Sequence, residues 1–200
     1  MPPSKNLSGD ADNPQERPET CGWVVGFVDG EGSFIVSIFR SPKTKIGWQV
    51  FPEFSVSQGE RDLRVLELLK EFFGCGEIYL HKTRAFKKKK WQKLYKYCVR
   101  NRKDLEEKII PFFEKYPLRS ASKRNDFERF KEIIEMMKKG EHLRISGLRK
   151  IAKIIQKMTH RKSFHQLSSA RFLESSETLR RAEDYTSSED RVRALGRPRD

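Results

Sequence analysis

Cysteine is scarce in this sequence. Only three of the 200 residues are cysteines, and Cys21, Cys75 and Cys98 stand alone without a CxxC pair. An odd number of scattered cysteines argues against a disulfide framework or a zinc ribbon and favours a reducing compartment. The sequence is therefore not that of a small, disulfide-stabilised secreted domain.

Long hydrophobic runs are also lacking. The longest candidate, Trp23 to Val28, is short and contains Gly26, whereas a membrane-spanning helix needs about 20 apolar residues. The first twenty residues hold no apolar segment behind their charges, so a secretory signal is not expected. We expect no membrane partner and no secretion, and we place the protein in the cytoplasm, or in an organelle if its gene is organellar.

Phenylalanine and positive charge, by contrast, are abundant. Hydrophobic residues make up 36% of the chain and charged residues 35%, with 14 phenylalanines, a composition typical of a folded protein. The 42 Lys and Arg residues exceed the 28 Asp and Glu residues, which gives a formal net charge of +14. This excess favours a polyanionic partner, most often nucleic acid and less often an anionic membrane surface.

The composition changes along the chain. Residues 1–20 are rich in Pro, Ser, Asn and Asp, which predicts a disordered leader. Residues 161–200 mix arginines with acids and have few apolar side chains, so we expect a polar, partly helical C-terminal extension. The folded domain is expected at residues 21–160.

Hydrophobic periodicity within that domain predicts an α+β fold. A motif helix is followed by two strands, a helix, two strands and further helices, and the four strands form a mainly antiparallel sheet. One face of the sheet is apolar and can pack on the helices, while the other is rich in Ser, Glu, Lys and aromatics and needs water or a ligand. The predicted strands are 33–39, 48–58, 78–83 and 94–100, and the later helices are 63–73, 104–116, 126–139 and 146–158.

The second predicted hairpin concentrates the positive charge. Residues 79–103 hold eleven Lys and Arg residues, interleaved with aromatics, and no acid. Such a hairpin attracts a phosphate backbone, and a two-stranded ribbon can enter a duplex major groove. The alternative is a solvated tip that discourages edge pairing. Base contacts would come from the polar sheet face, for which the candidates are Ser37, Glu53, Ser55, Tyr79, His81 and Lys96.

The segment Trp23 to Phe34 is the most informative motif. Gly22, Gly26 and Gly30 recur every four residues, so on a helix they form one bare stripe that another backbone can approach closely. Asp29 and Glu31 then lie at the C-terminal end of that helix, which is electrostatically unfavourable for anions and suggests a compensating cation. The alternative is an acidic turn that leads into a strand.

These residues resemble a known family. The stretch GFVDGEGSF is similar to the LAGLIDADG motif of homing endonucleases, in the variant whose last acid is Glu. The αββαββα order and several later segments follow the family order over about residues 21–182. These segments are Phe54 to Gln58, Gly74 to Gly76, Ile110 to Phe113, Pro117 to Ser120 and Ser176 to Arg180.

The resemblance implies a mechanism. In such proteins the motif helices pair at an interface, and the last acid of each motif binds a divalent metal beside the scissile phosphates. Here that acid is Glu31, assisted by the Gly30 carbonyl. Because the chain has one copy of the motif, the resemblance implies a homodimer with two or three Mg²⁺ ions. It would cleave both strands of a pseudo-palindromic double-stranded DNA target by phosphodiester hydrolysis. The implied interface residues are Gly22, Trp23, Gly26, Phe27 and Asp29, of which Asp29 would stabilise the helix junction rather than bind metal.

The resemblance also implies a polar pocket around the metals. Gln58 fits the family's glutamine position, although a strand-end surface residue is the alternative. The pocket lysine maps to Lys123, with Arg119 and Arg124 as competitors. A basic residue is expected where this chain has Asp62, so that role is open, with Arg61 beside it. The implied DNA contacts are Ser37, Arg40, Lys43, Lys45, Gln49, Glu53, Ser55, Arg61, Tyr79, His81, Lys82, Lys87, Lys88, Lys96 and Arg100.

Two classes of function compete on this fold. The first is an intron-encoded homing endonuclease. The second is a binding protein, either a maturase that binds intron RNA or a DNA-binding regulator that does not cleave. The presence of Glu31 and Gln58 favours cleavage, because a pure binder gains little from a carboxylate that faces phosphates.

Overall fold

The computed structural model describes residues 17–81, 93–158 and 172–174. The chain divides into two compact units, of which the first comprises residues 1–35 and 52–128 and the second residues 36–51 and 129–200. The helices are α1 (Pro18–Glu31), α2 (Leu63–Phe73), α3 (Arg102–Asp104), α4 (Ile110–Lys115), α5 (Ala121–Lys138) and α6 (Ile145–Gln156); the strands are β1 (Gly32–Arg40), β2 (Trp48–Gly59), β3 (Glu77–Leu80) and β4 (Leu94–Val99). Glu60–Asp62 and Glu141–Leu143 form 3₁₀ turns, Leu105–Ile109 is π-helical, and residues 172–174 are helical.

The four strands form one antiparallel sheet in the order β1-β2-β4-β3. In the β2–β4 pair Phe54 lies opposite Val99 and Gly59 opposite Leu94, and in the β3–β4 pair Leu80 lies opposite Tyr95. The start of β1, the end of β2 and the start of β4 therefore lie at the same end of the sheet. The prediction of an α+β fold with a four-stranded antiparallel sheet is confirmed.

Helix α1 is anchored on one side only. Cys21, Val24, Val25 and Val28 are buried, and their i, i+3, i+4, i+7 spacing places them on one helix face. The helix ends because Gly32 adopts an extended backbone and begins β1. A Cβ atom at Gly32 would lie 2.5 Å from the Val28 side chain, so the tight step from helix to strand requires glycine.

Aromatic side chains fill the core of the first unit. Phe34 on β1 is 1% exposed, and its ring centre lies 5.2 Å from Phe54, 5.2 Å from Phe127 and 5.5 Å from Phe113. These tilted and edge-on contacts join β1, β2, α4 and α5. They explain the heavy phenylalanine content, since each buried ring removes a large apolar area from water.

In the second unit, the C-terminal extension contributes to the core. Phe172 is fully buried, and its ring centre lies 5.0 Å from that of Trp48 at the start of β2. The extension at 161–200, predicted to be polar and partly helical, thus also supplies one buried apolar side chain at Phe172. Sequence patterning missed it because one isolated apolar residue in a charged stretch carries no period.

Two predicted boundaries also need correction. The expected leader 1–20 ends too late, because α1 begins at Pro18, where a proline is preorganised for the first helical turn. Helix α5 begins at Ala121 instead of 126, because the Ser120 hydroxyl accepts a hydrogen bond from the Lys123 N–H (3.4 Å) and caps the helix. Residues 1–16, 82–92, 159–171 and 175–200 lie outside the described residues. Of the helices described, none has the length and apolar character needed to cross a membrane.

Candidate active site

Glu31 is the last residue of α1, and its side chain is exposed. Within the described residues its carboxylate has no hydrogen bond and no ion pair. Gly30 precedes it in the last helical turn, where backbone carbonyls lack an intrahelical N–H partner. The Glu31 carboxylate and the Gly30 main-chain carbonyl thus both lie in the last turn of the motif helix.

Lys123 in the first turn of α5 points at this helix end. Its Nζ donates a hydrogen bond to the carbonyl oxygen of Gly32, the residue directly after Glu31. Arg119 and Arg124, which compete for the same role in sequence, are exposed and line the groove beside the α1 glycines. Of these three cations, Lys123 is therefore the one whose charged group contacts Gly32, the residue that follows Glu31.

Gln58 lies near the end of β2, opposite Tyr95 of β4, and is half-buried. Because β1 starts at Gly32 and is antiparallel to β2, Gln58 and Glu31 share one end of the sheet. Arg61 follows in the 3₁₀ turn and is exposed. The fold thus brings Glu31, Gln58 and Lys123 to one end of the sheet in the first unit.

Asp29 ties α1 to the start of α5. Its Oδ2 accepts a hydrogen bond from the Arg119 N–H (2.7 Å) and its Oδ1 one from the Ser120 N–H (3.1 Å). A carboxylate on backbone N–H groups at a helix start is a favourable electrostatic pairing. Both oxygens of Asp29 are therefore occupied inside the protein, in contrast to those of Glu31.

The face of α1 that carries Gly22, Gly26 and Gly30 is open. A Cβ atom built at any of these glycines would meet no atom within 4 Å. Beside the stripe, Trp23 is 41% exposed and stacks on Phe27 with ring centres 5.5 Å apart. A groove adjoins it, lined by Gly22, Val25, Gly26, Asp29, Lys115, Tyr116, Pro117, Leu118, Arg119 and Arg124.

A buried carboxylate organises the polar sheet face of the first unit. Glu53 on β2 is 6% exposed, and it accepts hydrogen bonds from Lys96 (2.5 Å) and Arg100 (2.6 Å). Burial raises the pKa of Glu53 through desolvation, but the hydrogen bonds and positive charges of the two cations outweigh it and hold the pKa below its usual value. Sequence reasoning listed all three as DNA contacts and missed their mutual pairing.

Neighbouring residues complete that face. Tyr79 on β3 is 46% exposed, and the Arg100 guanidinium carbon lies 5.0 Å from the centre of its ring. His81 follows β3 and is exposed. Ser55 is 1% exposed, so a DNA contact by its hydroxyl needs a neighbouring side chain to move. Burial raises the pKa of the adjacent Cys98 thiol to about 11, which keeps it neutral near pH 7.

The second unit holds the other predicted contacts. Arg40 is exposed, with its guanidinium carbon 5.2 Å from the centre of the Trp48 ring, and Lys43 and Lys45 are exposed in the loop that follows. Gln49 is half-buried. Ser37 is 6% exposed, so the structure does not present its hydroxyl on the surface. Lys82, Lys87 and Lys88 lie outside the described residues.

One chain supplies few metal ligands. No group of three His, Cys, Asp or Glu side chains in residues 17–81, 93–158 and 172–174 could together hold a metal ion. The exposed oxygens at Glu31 and Gly30 are nonetheless hard donors of the type that Mg²⁺ prefers. Glu31 and Gly30 thus have the chemistry of ligands for a divalent ion.

The sequence model of the LAGLIDADG endonuclease family matches residues 24–134, a range that contains Gly30, Glu31, Gln58 and Lys123. The chain belongs to the LAGLIDADG endonuclease family. The resemblance found in the sequence is thereby confirmed.

Among LAGLIDADG relatives, the probable intron-encoded endonuclease 2 of Neurospora crassa is 33% identical over 140 residues, which are 66% of this chain and 29% of that protein. The chain spans about a quarter of the length of the first curated relatives it matches.

Solved LAGLIDADG structures give the same fold. The homing endonuclease I-TnaI superimposes with a TM-score of 0.68 at 40% identity, and the match covers 78% of this chain and 96% of that one. I-SmaMI, solved on its uncleaved DNA target in the presence of calcium ions, gives a TM-score of 0.62 at 36% identity. That match covers 72% of this chain but 46% of I-SmaMI.

Proposed function

We propose that this chain is a site-specific, intron-encoded DNA endonuclease that cleaves both strands of a pseudo-palindromic duplex as a homodimer. The observation that carries the proposal is the Glu31 carboxylate at the end of the family motif, which has no partner within the described residues, while Lys123 bonds the carbonyl of the next residue, Gly32. An exposed acid without a partner at a helix C-terminus is unfavourable in the isolated chain. Glu31 would help to hold a divalent cation, whose charge would offset this cost.

A divalent ion fits this position. Glu31 and the Gly30 carbonyl would hold Mg²⁺, and the exposed hard oxygens described above support that choice. When bound, the ion supplies Lewis-acid activation of water and stabilises the leaving oxygen. That I-SmaMI was solved on uncleaved DNA in the presence of calcium ions supports a divalent ion as the cofactor.

The protein's own side chains would do the rest. Lys123 would place a positive charge next to the phosphate as negative charge develops in the transition state. Gln58, which can both donate and accept hydrogen bonds, would hold a water molecule in position. Asp29 would keep α1 and α5 in register, because its carboxylate on α1 accepts hydrogen bonds from the Arg119 and Ser120 N–H groups directly before α5.

A homodimer accounts for the open side of α1. The glycine stripe permits close approach of a second helix, and in a two-fold interface the same stripe serves both partners. The match to nearly all of I-TnaI and to under half of I-SmaMI supports a chain that supplies one half of a two-fold cleavage site. Each protomer would bring one Glu31 to the DNA.

Duplex DNA fits the charge of the molecule. The net charge of +14 favours phosphate contacts. Arg61 in the first unit and Arg40, Lys43 and Lys45 in the second are exposed candidates for them. Because relatives are named intron-encoded endonucleases, we propose an intron origin and action in the cytoplasm or an organelle.

Selection of cleaved sites from a duplex pool with a randomised centre tests this function. With Mg²⁺ we expect recovered ends to define one approximately two-fold symmetric sequence, and with EDTA we expect no cleavage. Enrichment of bound but uncleaved duplexes with Mg²⁺ would instead identify a non-cleaving regulator. Selective retention of structured RNA over DNA would identify an RNA-binding maturase.

Replacing Lys123 with methionine is expected to slow cleavage by about 10²–10³-fold, the usual effect of losing one group that stabilises developing negative charge. Affinity for the target DNA should fall about tenfold or less, because the variant loses only one of many positive charges near the phosphates. Single-turnover cleavage and anisotropy binding measure the two effects.

Lys138→Met, at the exposed far end of the same helix, is the control for charge loss. Thermal melting of both variants separates chemistry from loss of the Lys123–Gly32 hydrogen bond. Equal rates for K123M and K138M would exclude a special role for Lys123.

A further inference from the structure

Two glutamates of the first unit, Glu53 and Glu60, form ion pairs of different character. Glu53 is 6% exposed and uses both carboxylate oxygens, with Oε1 on Lys96 Nζ and Oε2 on Arg100 Nε. Glu60, directly after β2, pairs with Lys93 at 2.8 Å, but both side chains are about half exposed. The Glu53 pairs are thus part of a buried polar cluster, whereas the Glu60–Lys93 pair is an ordinary surface ion pair.

The strand register builds the Glu53 cluster. Phe54 of β2 pairs with Val99 of β4 and packs into the core, and side chains alternate along a strand. Glu53 and Arg100, the outer neighbours of that pair, therefore project from the opposite face. Lys96 lies four residues before Arg100 on β4 and projects from the same face, so it can reach the second oxygen.

Arg100 has further neighbours that fix its guanidinium group. The Tyr79 ring lies under it at 5.0 Å, and its Nη2 is 3.8 Å from Cys98 Sγ. Its Nε is held by Glu53. With these contacts made, the Arg100 side chain is still 42% exposed, so it is both held by the protein and accessible from solvent.

We propose that Glu53 is a positioning residue that fixes Lys96 and Arg100 on the sheet face, so that these two cations discriminate among DNA sequences instead of contacting phosphates at random. The inference rests on the proposed binding of duplex DNA, and it assigns Glu53 a role other than the direct base contact expected from the sequence.

The physical basis is the difference between a free and a held cation. A flexible Lys or Arg side chain contacts whichever phosphate is near, and the release of counterions favours binding to every DNA sequence equally. A guanidinium held in one orientation can match the two acceptors of guanine in the major groove. The carboxylate also offsets part of the cluster's charge, which lowers the sequence-independent attraction.

A purely structural role predicts something different. In that case Glu53 only satisfies buried polar groups, and its loss lowers stability without changing which sequences the protein prefers. Sequence preference and salt dependence are therefore the readouts that separate the two roles.

The test compares Glu53→Gln with Glu60→Gln in EDTA on a duplex pool with a randomised centre, below the melting temperatures of both variants. Each variant removes one negative charge, at Glu53 within β2 or at Glu60 directly after that strand. For E53Q we expect discrimination between the selected target and a random duplex to fall about tenfold or more. We also expect the logarithmic salt slope on random duplex to steepen by up to ~1.8, at about 0.9 for each freed cation. E60Q should keep the wild-type preference.

A double-mutant cycle shows whether Glu53 acts through the two cations. In a Lys96→Gln, Arg100→Gln background, adding E53Q should change neither preference nor salt slope further. If E53Q alone does not fold, E53Q with Lys96→Met is compared with Lys96→Met, and a steeper slope of up to ~0.9 is expected from Arg100.

Unchanged preference in a folded E53Q, or an equal loss in E60Q, would overturn the inference and leave the proposed function intact. Failure of the wild-type protein to bind any duplex would instead remove the proposed function and this inference with it. The two failures are distinguishable because only the second is seen without a substitution.

Discussion

Glu31→Gln should bind its DNA target as tightly as the wild-type protein and leave both strands intact. The amide keeps the size of the side chain but is a far weaker ligand for a divalent ion than a carboxylate. Several kcal/mol of transition-state charge stabilisation depend on that ion, so cleavage should fall by about 10³-fold or more. Binding in EDTA and cleavage with Mg²⁺ measure the two properties separately.

The fold should tolerate this substitution. Within the described residues the Glu31 carboxylate has no hydrogen bond or ion pair to lose, so the melting temperature should stay close to that of the wild type. Glu135→Gln, an exposed acid on α5, controls for the change in net charge and should cleave normally. Wild-type cleavage by E31Q would refute the assignment of the active site, and loss of binding would point to a role in DNA contact instead.

Gly26→Leu should convert the protein into a folded monomer that does not cleave. A Cβ at this position meets nothing within 4 Å in one chain, so we expect the protomer to accommodate the new side chain on the open face of α1. Replacing glycine in a helix is favourable by about 0.5–1 kcal/mol, and the melting temperature of the monomer should not fall. In a two-fold interface the added bulk occurs twice at the closest approach of the helices.

Sedimentation measures the mass, and the selection pool measures cleavage. Gly26→Ala should give an intermediate loss, because a single methyl separates the helices less. Ser146→Leu adds the same bulk at an exposed position on α6 and should leave both mass and cleavage unchanged. A G26L protein that still sediments as a dimer would rule out pairing through the glycine stripe.

The architecture was predictable because local patterns specified it. Alternation around Phe34 and Phe54 predicted two neighbouring strands, and the spacing of Leu66, Leu69 and Phe73 predicted α2 within one residue of its bounds. The glycine period predicted a helix with a bare face, and the structure shows that face open. In each of these cases the residues that form the pattern and the element that they predict occupy the same segment of about a dozen residues.

The contacts that define the site were not predictable in the same way. The Asp29 carboxylate accepts hydrogen bonds from backbone N–H groups 90 and 91 residues away in the sequence. The Lys123 side chain bonds the Gly32 carbonyl, which is also 91 residues away. No periodicity connects positions so far apart. The sequence left three basic candidates, Arg119, Lys123 and Arg124, and only the folded structure showed that Lys123 is the one whose side chain bonds Gly32.

The sequence by itself determined the family motif, the order of elements, the excess positive charge and the choice of Glu31 as the acid at the end of α1. Only the tertiary structure decided that the Asp29 carboxylate is hydrogen-bonded while that of Glu31 has no partner in the described part of the chain, that Lys123 bonds Gly32 at the end of the motif helix, and that Glu53 is buried between Lys96 and Arg100. The reason is physical: local backbone preference and hydrophobic period are encoded over neighbouring residues, whereas the partner of a charged side chain depends on strand register and helix phase after the chain has folded.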